Sequence, residues 1–256
     1  MDLSINGPKI YFIFWEGTPY ELRITQTTIS LFAVTLILML ASFLLTRNLK
    51  KRPGRKQVLI EKGVSMIYGM VEDTMGKHNA KFAPYIGTIF LSSIFGTLLG
   101  MTQLFRSTTA DLSVTAAWAL VTSVMVWYSN IKNFGFKAWL KGFTEPIVVM
   151  TPMNIVSEIA QPLSMAFRHF GNIAGGSVLT SLIYAALSLI SSLLFGWLPN
   201  VIIANIPFLQ VGIPAFLSIY FDLFSGFVQA LVFSLLTMIY VAAGNPPPEE
   251  KKTETK

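Results

Sequence analysis

The chain has 256 residues, 53% of them hydrophobic and only 12% charged, with a formal net charge of +6. Soluble domains carry about 25% charged residues, so this composition argues against a soluble globular domain and for an integral membrane bundle. Cysteine is absent and only His78 and His169 represent histidine, which removes disulfides, thiolate metal sites and any histidine-rich metal centre.

Residues 1–28 lack a basic stretch ahead of an apolar core and a small-residue cleavage site, so no cleaved signal peptide is expected. The first candidate membrane span is 29–46. The densest basic run follows directly, Arg47-Asn-Leu-Lys-Lys-Arg-Pro-Gly-Arg-Lys56. Positive charge beside a span marks the cytoplasmic side, so the N-terminus is expected outside. Between Gln57 and Met75, Val58, Leu59, Val64, Ile67, Tyr68 and Val71 alternate at helical spacing with Glu61, Lys62, Glu72 and Asp73. That pattern predicts an amphipathic helix lying on the cytoplasmic membrane surface.

Further spans are predicted at 84–105 and 112–131, followed by Lys132, Lys137 and Lys141 on the cytoplasmic side. The stretch 153–196 is twice a simple crossing: two short helices, or one long and strongly tilted. No charged or Asn-Gly turn interrupts its second half, which favours the long form, bent near Pro162 or Gly175-Gly176. The last span is 207–243, also long, and the polar tail from Asn245 is expected to be disordered and cytoplasmic. Five crossings leave only Lys9, Arg23, Arg106 and Arg168 outside the cytoplasmic loops and tail. The basic run therefore reads as a topology signal beside a span, and no nucleic-acid partner is expected. The predicted organisation is an extracytoplasmic segment 1–28, a polytopic all-α membrane domain 29–243 and a cytoplasmic tail 244–256. Within the membrane domain the last two helices form a long, tilted antiparallel hairpin, and the surface helix covers about 57–75.

Arg168 lies in an apolar stretch and cannot neutralise itself by losing a proton. Such a charge at the bilayer centre costs roughly 2.5–3.5 kcal/mol on insertion scales, so it is expected to pair or to line an ion path. Asn172 is four residues on and shares its face. Gly171, Ala174, Gly175, Gly176 and Ser177 follow, all small, which suits close approach by another helix. In the last span Asp222, Ser225 and Gln229 fall on one face. With the two long helices antiparallel and Gln229 set opposite Arg168, Asn172 lies about 6 Å outward, Asp222 about 10 Å and Ser177 about 13 Å. The expected ladder of Arg168, Gln229, Asn172, Asp222 and Ser177 climbs from mid-membrane to the outer surface, like half of an aqueous channel. Gln229 and Asn172 also suit plain hydrogen-bonded glue between helices. His169 points roughly 100° away from Arg168 and is read as a packing or interfacial residue. Asp111 is first an N-cap of the third span and second a channel mouth. Glu158, near the inner surface, is a candidate mark of an exit path.

The run Pro162-Leu-Ser-Met-Ala-Phe-Arg168-His-Phe-Gly171-Asn172 resembles the signature of subunit a of the bacterial rotary F-type ATP synthase. Thr109-Ala110-Asp111-Leu-Ser-Val-Thr and Phe224-Ser-Gly-Phe-Val-Gln229-Ala-Leu-Val-Phe extend the resemblance over about residues 30–243. The resemblance implies a multi-pass stator subunit of the plasma membrane that is not itself an enzyme and binds no cofactor. It implies two offset half-channels that load and unload carboxylates on a rotating c-ring with H+ or Na+, and Arg168 between them. It also implies contact with b-type peripheral stalk subunits and membrane lipid. Some family members carry a carboxylate or histidine where Ser177 stands, coupled to a titratable group at Asp222. Here Asp222 is the single obvious titratable group of the inlet.

Other classes fit less well. A membrane enzyme finds no His-Glu-x-x-His, and Gly69 to Gly76-Lys77 has the wrong spacing for a phosphate loop. A secondary transporter with an intramembrane Arg/Asp substrate site is the alternative. Such folds show repeated halves with matching broken helices, and the arginine segment has no matching half.

Overall fold

The computed structural model describes residues 9–17, 21–47, 49–102, 105–195 and 219–248. It opens on an element the sequence reading did not foresee, an antiparallel β-hairpin of β1 (Ile10–Phe14) and β2 (Leu22–Thr25). Aromatic and β-branched residues fill β1 and make up half of β2, and they suit pleated pairing. Phe12 pairs with Ile24, Ile13 with Arg23 and Phe14 with Leu22, with a register shift between Ile10 and Phe12.

Helix α1 (Gln26–Thr46) follows β2 without a linker. Thr25 caps it, its hydroxyl accepting from the Thr28 amide at 3.4 Å, which satisfies one of the open N–H groups of the first turn. Its 21 residues give about 32 Å of helix at 1.5 Å each, a match to ~30 Å of hydrocarbon. Phe32, Leu36, Met39, Phe43 and Leu44 point outward. Helix α2 (Arg55–Met75) is the expected amphipathic helix. Its C-terminal Val71 and Met75 are buried in the bundle, whereas Leu59 and Met66 are exposed.

A 3-10 turn at Lys77–Phe82 leads into α3 (Ala83–Met101), which stops short of the predicted 105. Then come a 3-10 turn (Thr108–Ala110), α4 (Leu112–Phe134), α5 (Phe136–Gly142) and α6 (Thr151–Phe195). The stretch 153–196 is thus one helix with Pro162 inside it rather than two. Its 45 residues extend about 68 Å, more than twice the ~30 Å of hydrocarbon, a length that suits a tilted crossing. A π-helical turn (Ile219–Phe224) precedes α7 (Ser225–Ala243). Residues 207–218 of the predicted last span lie outside the described residues. Among the described residues, five helices are long and apolar enough to cross a membrane. Their order places the basic loops at one end of the bundle, called here the basic end. It holds the close of α1, α4 and α7 and the start of α3 and α6.

Lipid offers apolar side chains no drive to associate, so helices in a membrane are held by close packing and hydrogen bonds. Near the basic end, Val71, Met75, Ala83, Ile86, Val126, Met238 and Val241 form one packed cluster. Ile89, Ala119, Met165, Ala166 and Phe233 form a second, deeper one. Small residues permit the tightest approaches. A Cβ on Gly226 of α7 would lie 2.6 Å from Thr97 Cγ2 of α3. Gly226→Leu is therefore expected to destabilise the bundle by about 1–3 kcal/mol or more, read as a lower thermal midpoint of the solubilised complex. Gly63→Ala is the control, because its added Cβ meets nothing within 4 Å; equal midpoints for the two variants would contradict the packing argument.

The tail begins later than its composition indicates. The Asn245 carbonyl accepts from Asn79 Nδ2 at 3.0 Å and lies 2.9 Å from His78 Nε2. Asn133 Nδ2 donates to the Gly244 carbonyl at 2.6 Å and to Asn245 Oδ1 at 3.0 Å. Asn245 is buried. These bonds fasten the end of α7 to the α2–α3 turn and to α4, so Gly244 and Asn245 belong to the packed fold and not to a free tail. Residues 249–256 lie outside the described residues.

Candidate functional site

Helix α6 presents two faces. Met165, Ala166, His169 and Ile173 are buried against the bundle, at spacings that share one side of a 3.6-residue repeat. Ser164, Arg168, Gly171 and Gly175 are exposed on the other side. A Cβ added at Gly171 or Gly175 meets nothing within 4 Å, so no other described element of this chain covers that face at these two positions. Arg168 makes no hydrogen bond or ion pair among the described residues, and Phe167 beside it is 53% exposed. Among the described residues, Gly171 and Gly175 therefore serve no helix contact inside this chain, whereas Gly176 is buried.

Behind Arg168, the wall is polar but closed. His169 is buried, its Nε2 3.0 Å from Ser93 Oγ of α3. Its ring packs between Trp118 and Phe233, with centroids at 6.0 and 5.2 Å, which makes it a packing residue. Asn172 is joined to α7 twice: Nδ2 donates to the Ser225 carbonyl at 3.2 Å, and Oδ1 accepts from Ser225 Oγ at 2.8 Å. The antiparallel register that sets 172 opposite 225 also sets 168 level with 229. Gln229 is buried, and its Nε2 has no hydrogen-bond partner among the described residues. Arg168 and Gln229 thus share a level but not a surface, one facing out of the chain and the other into it.

Ser177 falls in α6 and Asp222 in the π turn; their side chains lie outside the described residues. A π turn leading into a membrane helix widens the backbone locally, a distortion frequent at functional sites. Asp111 caps α4, its Oδ1 accepting from the Ser113 amide at 3.0 Å, at the end of the bundle away from the basic loops. Glu158 is half-buried on α6 and accepts a hydrogen bond from the Trp127 indole of α4. It lines a cleft of about 750 Å³ at the basic end, shared with Asn130, Asn133, Lys141, Glu145 and Asn154. Asn154 Nδ2 braces the rim by donating to the Phe143 carbonyl at 2.8 Å and the Glu145 carbonyl at 3.1 Å.

The structure therefore brings Asn172 to α7, sets Arg168 and Gln229 at one level, and puts Asp111 and Glu158 at opposite ends. Ser225, on the Asp222–Gln229 face of the sequence pattern, joins the site; a serine one helical turn from a glutamine in an apolar span is the signal that marks it. Trp127 and the asparagines of the cleft were missed, although Asn130, Asn133 and Asn154 cluster at two adjacent helix ends. Among the described residues no group of three or more His, Cys, Asp or Glu side chains could hold a metal ion.

A family profile described as ATP synthase A chain matches residues 28–242. The chain is similar to ATP synthase subunit a 1 of Crocosphaera subtropica, 36% identical over 94% of each chain. It is similar to ATP synthase subunit a, sodium ion specific, of Propionigenium modestum, 32% identical over 93% of this chain and 84% of that one. A third relative, ATP synthase subunit a of Albidiferax ferrireducens, is 31% identical over 93% of this chain and 96% of its own.

Proposed function

The chain belongs to the ATP synthase A chain family, and from that premise we propose that Arg168 divides two offset half-channels in an ion-translocating stator subunit of the synthase membrane sector. The observation that carries this reading is the bare arginine: an obligate cation within a membrane helix, exposed, unpaired among the described residues and flanked by the uncovered Gly171 and Gly175. A guanidinium at the bilayer centre costs several kcal/mol unless it meets polar groups. Its partner comes from outside this chain, and a ring of rotor subunits carrying mid-membrane carboxylates supplies it.

The chemistry follows from charge. An adjacent cation favours the ionised form of a carboxylate, lowering its pKa by about 1–3 units. A loaded rotor site approaching Arg168 therefore gives up its ion toward the outlet and passes as the carboxylate. Beyond the arginine it reloads from the inlet and leaves as the neutral or ion-occupied form, able to face lipid through the rest of the turn. Lysine could lose its proton in this setting and arginine cannot, so the divider stays charged in every state.

The inlet runs along Asn172, Ser177, Asp222 and Gln229 from the Asp111 end, with Asp222 as its titratable group. The outlet opens through the cleft walled by Glu158 at the basic end. The positive charge of the basic loops favours the cytoplasm for that end, with the N-terminus and residues 1–28 outside, the membrane domain from 29 closing at the packed Gly244 and Asn245, and the tail beyond them inside. Rotor c subunits lie against the Arg168 face, and b-type stalk subunits hold the chain still. Phosphoryl chemistry resides in other subunits, and the ion, H+ or Na+, passes through without a bound cofactor.

The reading is tested by reconstituting complexes that contain this chain and measuring ATP synthesis under imposed proton or sodium gradients. Synthesis driven by one of them supports the assignment and identifies the ion; none under either contradicts it. Asp222→Asn is expected to slow ion loading and to shift its pH or sodium dependence, with both arms measured in the same vesicles. An unchanged dependence would remove Asp222 from the inlet.

A further inference from the structure

We infer that the β-hairpin of β1 and β2 is an interfacial lipid anchor, its aromatic strand lying in the headgroup–acyl boundary beside α1. This rests only on the membrane reading of α1 and not on the ion path. Every residue of β1 is exposed, from Ile13 at 40% to Phe12 at 64%, and Trp15 at the turn is 69% exposed. A lone two-stranded ribbon cannot bury both of its faces. Six consecutive apolar residues, Ile10 to Trp15, would be costly in water.

The hairpin has no freedom to leave the membrane surface. Thr25 both ends β2 and caps α1, and the Gln26 amide donates to the Lys9 carbonyl at 2.8 Å, so both strands are rooted at the first turn of that helix. The five residues of β1 reach roughly 17 Å at about 3.4 Å each. The interfacial layer on each side is only about 5–7 Å deep. An upright hairpin would carry Phe14 and Trp15 into water, whereas a flat one keeps the whole apolar strand in the layer. Its surface is then continuous with the exposed Ile29 and Phe32 of α1. Tyr and Trp suit this layer because an apolar ring and a polar edge are both satisfied there.

The charges point to lipid and not to a charged protein partner. Arg23 Nη2 lies 2.8 Å from Glu21 Oε2, and the Gly17 amide donates to Glu21 Oε1 at 3.1 Å. Those hydrogen bonds hold the Glu21 carboxyl below the usual carboxylate range, so the pair is internally neutral. The other described charges of the hairpin region, Lys9 and Glu16, offset each other, so no strong single-sign field favours an oppositely charged surface.

The chain has no cysteine, which permits a direct test. Phe12→Cys, Phe14→Cys and the lipid-facing control Leu36→Cys are spin-labelled one at a time. The carrier is the intact complex, with its other subunits made cysteine-free, in phosphatidylcholine vesicles. Collision with oxygen is expected to exceed collision with a water-soluble nickel chelate at positions 12 and 14, as at 36. Dominant nickel collision at 12 and 14 would place the hairpin in water. Low collision with both reagents would place it against a protein subunit. Either result overturns the anchor. Because these side chains are exposed, labelling leaves the bundle folded, and assembly of each variant is checked by the yield of intact complex.

Discussion

Arg168→Ala is expected to abolish gradient-driven ATP synthesis and ATP-driven ion pumping while the complex still assembles. Arg168 has no hydrogen bond or ion pair among the described residues and is exposed on α6, so its removal takes nothing from the packing of the described helices. His169, which does pack, stays in place against Ser93, Trp118 and Phe233. The loss is confined to the cation. Without it, a rotor carboxylate has no reason to release its ion when it passes, and its pKa rises by the roughly 1–3 units the arginine supplied. The divider between inlet and outlet also goes, so passive ion leak through the membrane sector is expected to rise as coupling is lost. Synthesis and leak measured on the same vesicles check both halves of the prediction. Failure of the complex to assemble would instead make Arg168 a packing residue, against its exposure.

Asn172→Leu is expected to cause the second-largest loss. Asn172 makes two hydrogen bonds to one residue of α7, to the carbonyl and the hydroxyl of Ser225. Interhelical bonds of this kind average about 0.6 kcal/mol in membrane proteins, so removing both weakens the hairpin by about 1 kcal/mol. The consequence for transport is larger than for stability, because this pair fixes the register that sets Gln229 level with Arg168. A shift worth about 1.4 kcal/mol in the transport barrier lowers the rate tenfold, and a loss of that order in coupled flux is expected. Ser225→Ala keeps the carbonyl acceptor and removes only the hydroxyl bond, so its effect is smaller. The double variant should lose less than the sum of the singles, since both act on one contact. Strict additivity in flux would mean that the two residues act separately.

What the sequence discloses, and what it hides, follows from the kind of force involved. Hydropathy and the placement of Lys and Arg report transfer of side chains into lipid, and each of the five crossings leaves that mark. The amphipathic α2 shows itself for the same reason. Helix α6 runs through Pro162 and Gly175-Gly176 without breaking, because lipid makes an open backbone more costly than a strained helix. The register of α6 on α7 was within reach of counting, since antiparallel helices advance by equal rises and Asn172 then meets Ser225. The outward aim of Arg168 was not. A helical wheel says that Arg168 and Asn172 are neighbours, but not which side of α6 the bundle takes. Packing decides that, and Met165, Ala166 and His169 take the inner side. The N-terminal hairpin hid because Ile10–Trp15 is too short for a membrane helix and too apolar for an ordinary surface strand. Asn245 looked like the start of a tail because single polar residues carry no periodicity. Its partners, His78, Asn79 and Asn133, come from segments distant in the chain.

The most direct test of Arg168 as the divider of two half-channels is Arg168→Lys, with ATP synthesis under an imposed gradient and passive leak recorded in the same reconstituted vesicles. Lysine keeps a cation of similar reach but can shed its proton in a dry site. The account predicts that the complex assembles, that synthesis is lost and that leak exceeds that of the wild type. Wild-type synthesis with unchanged leak would show that a permanent charge at position 168 is not what separates the two paths, and would contradict the account.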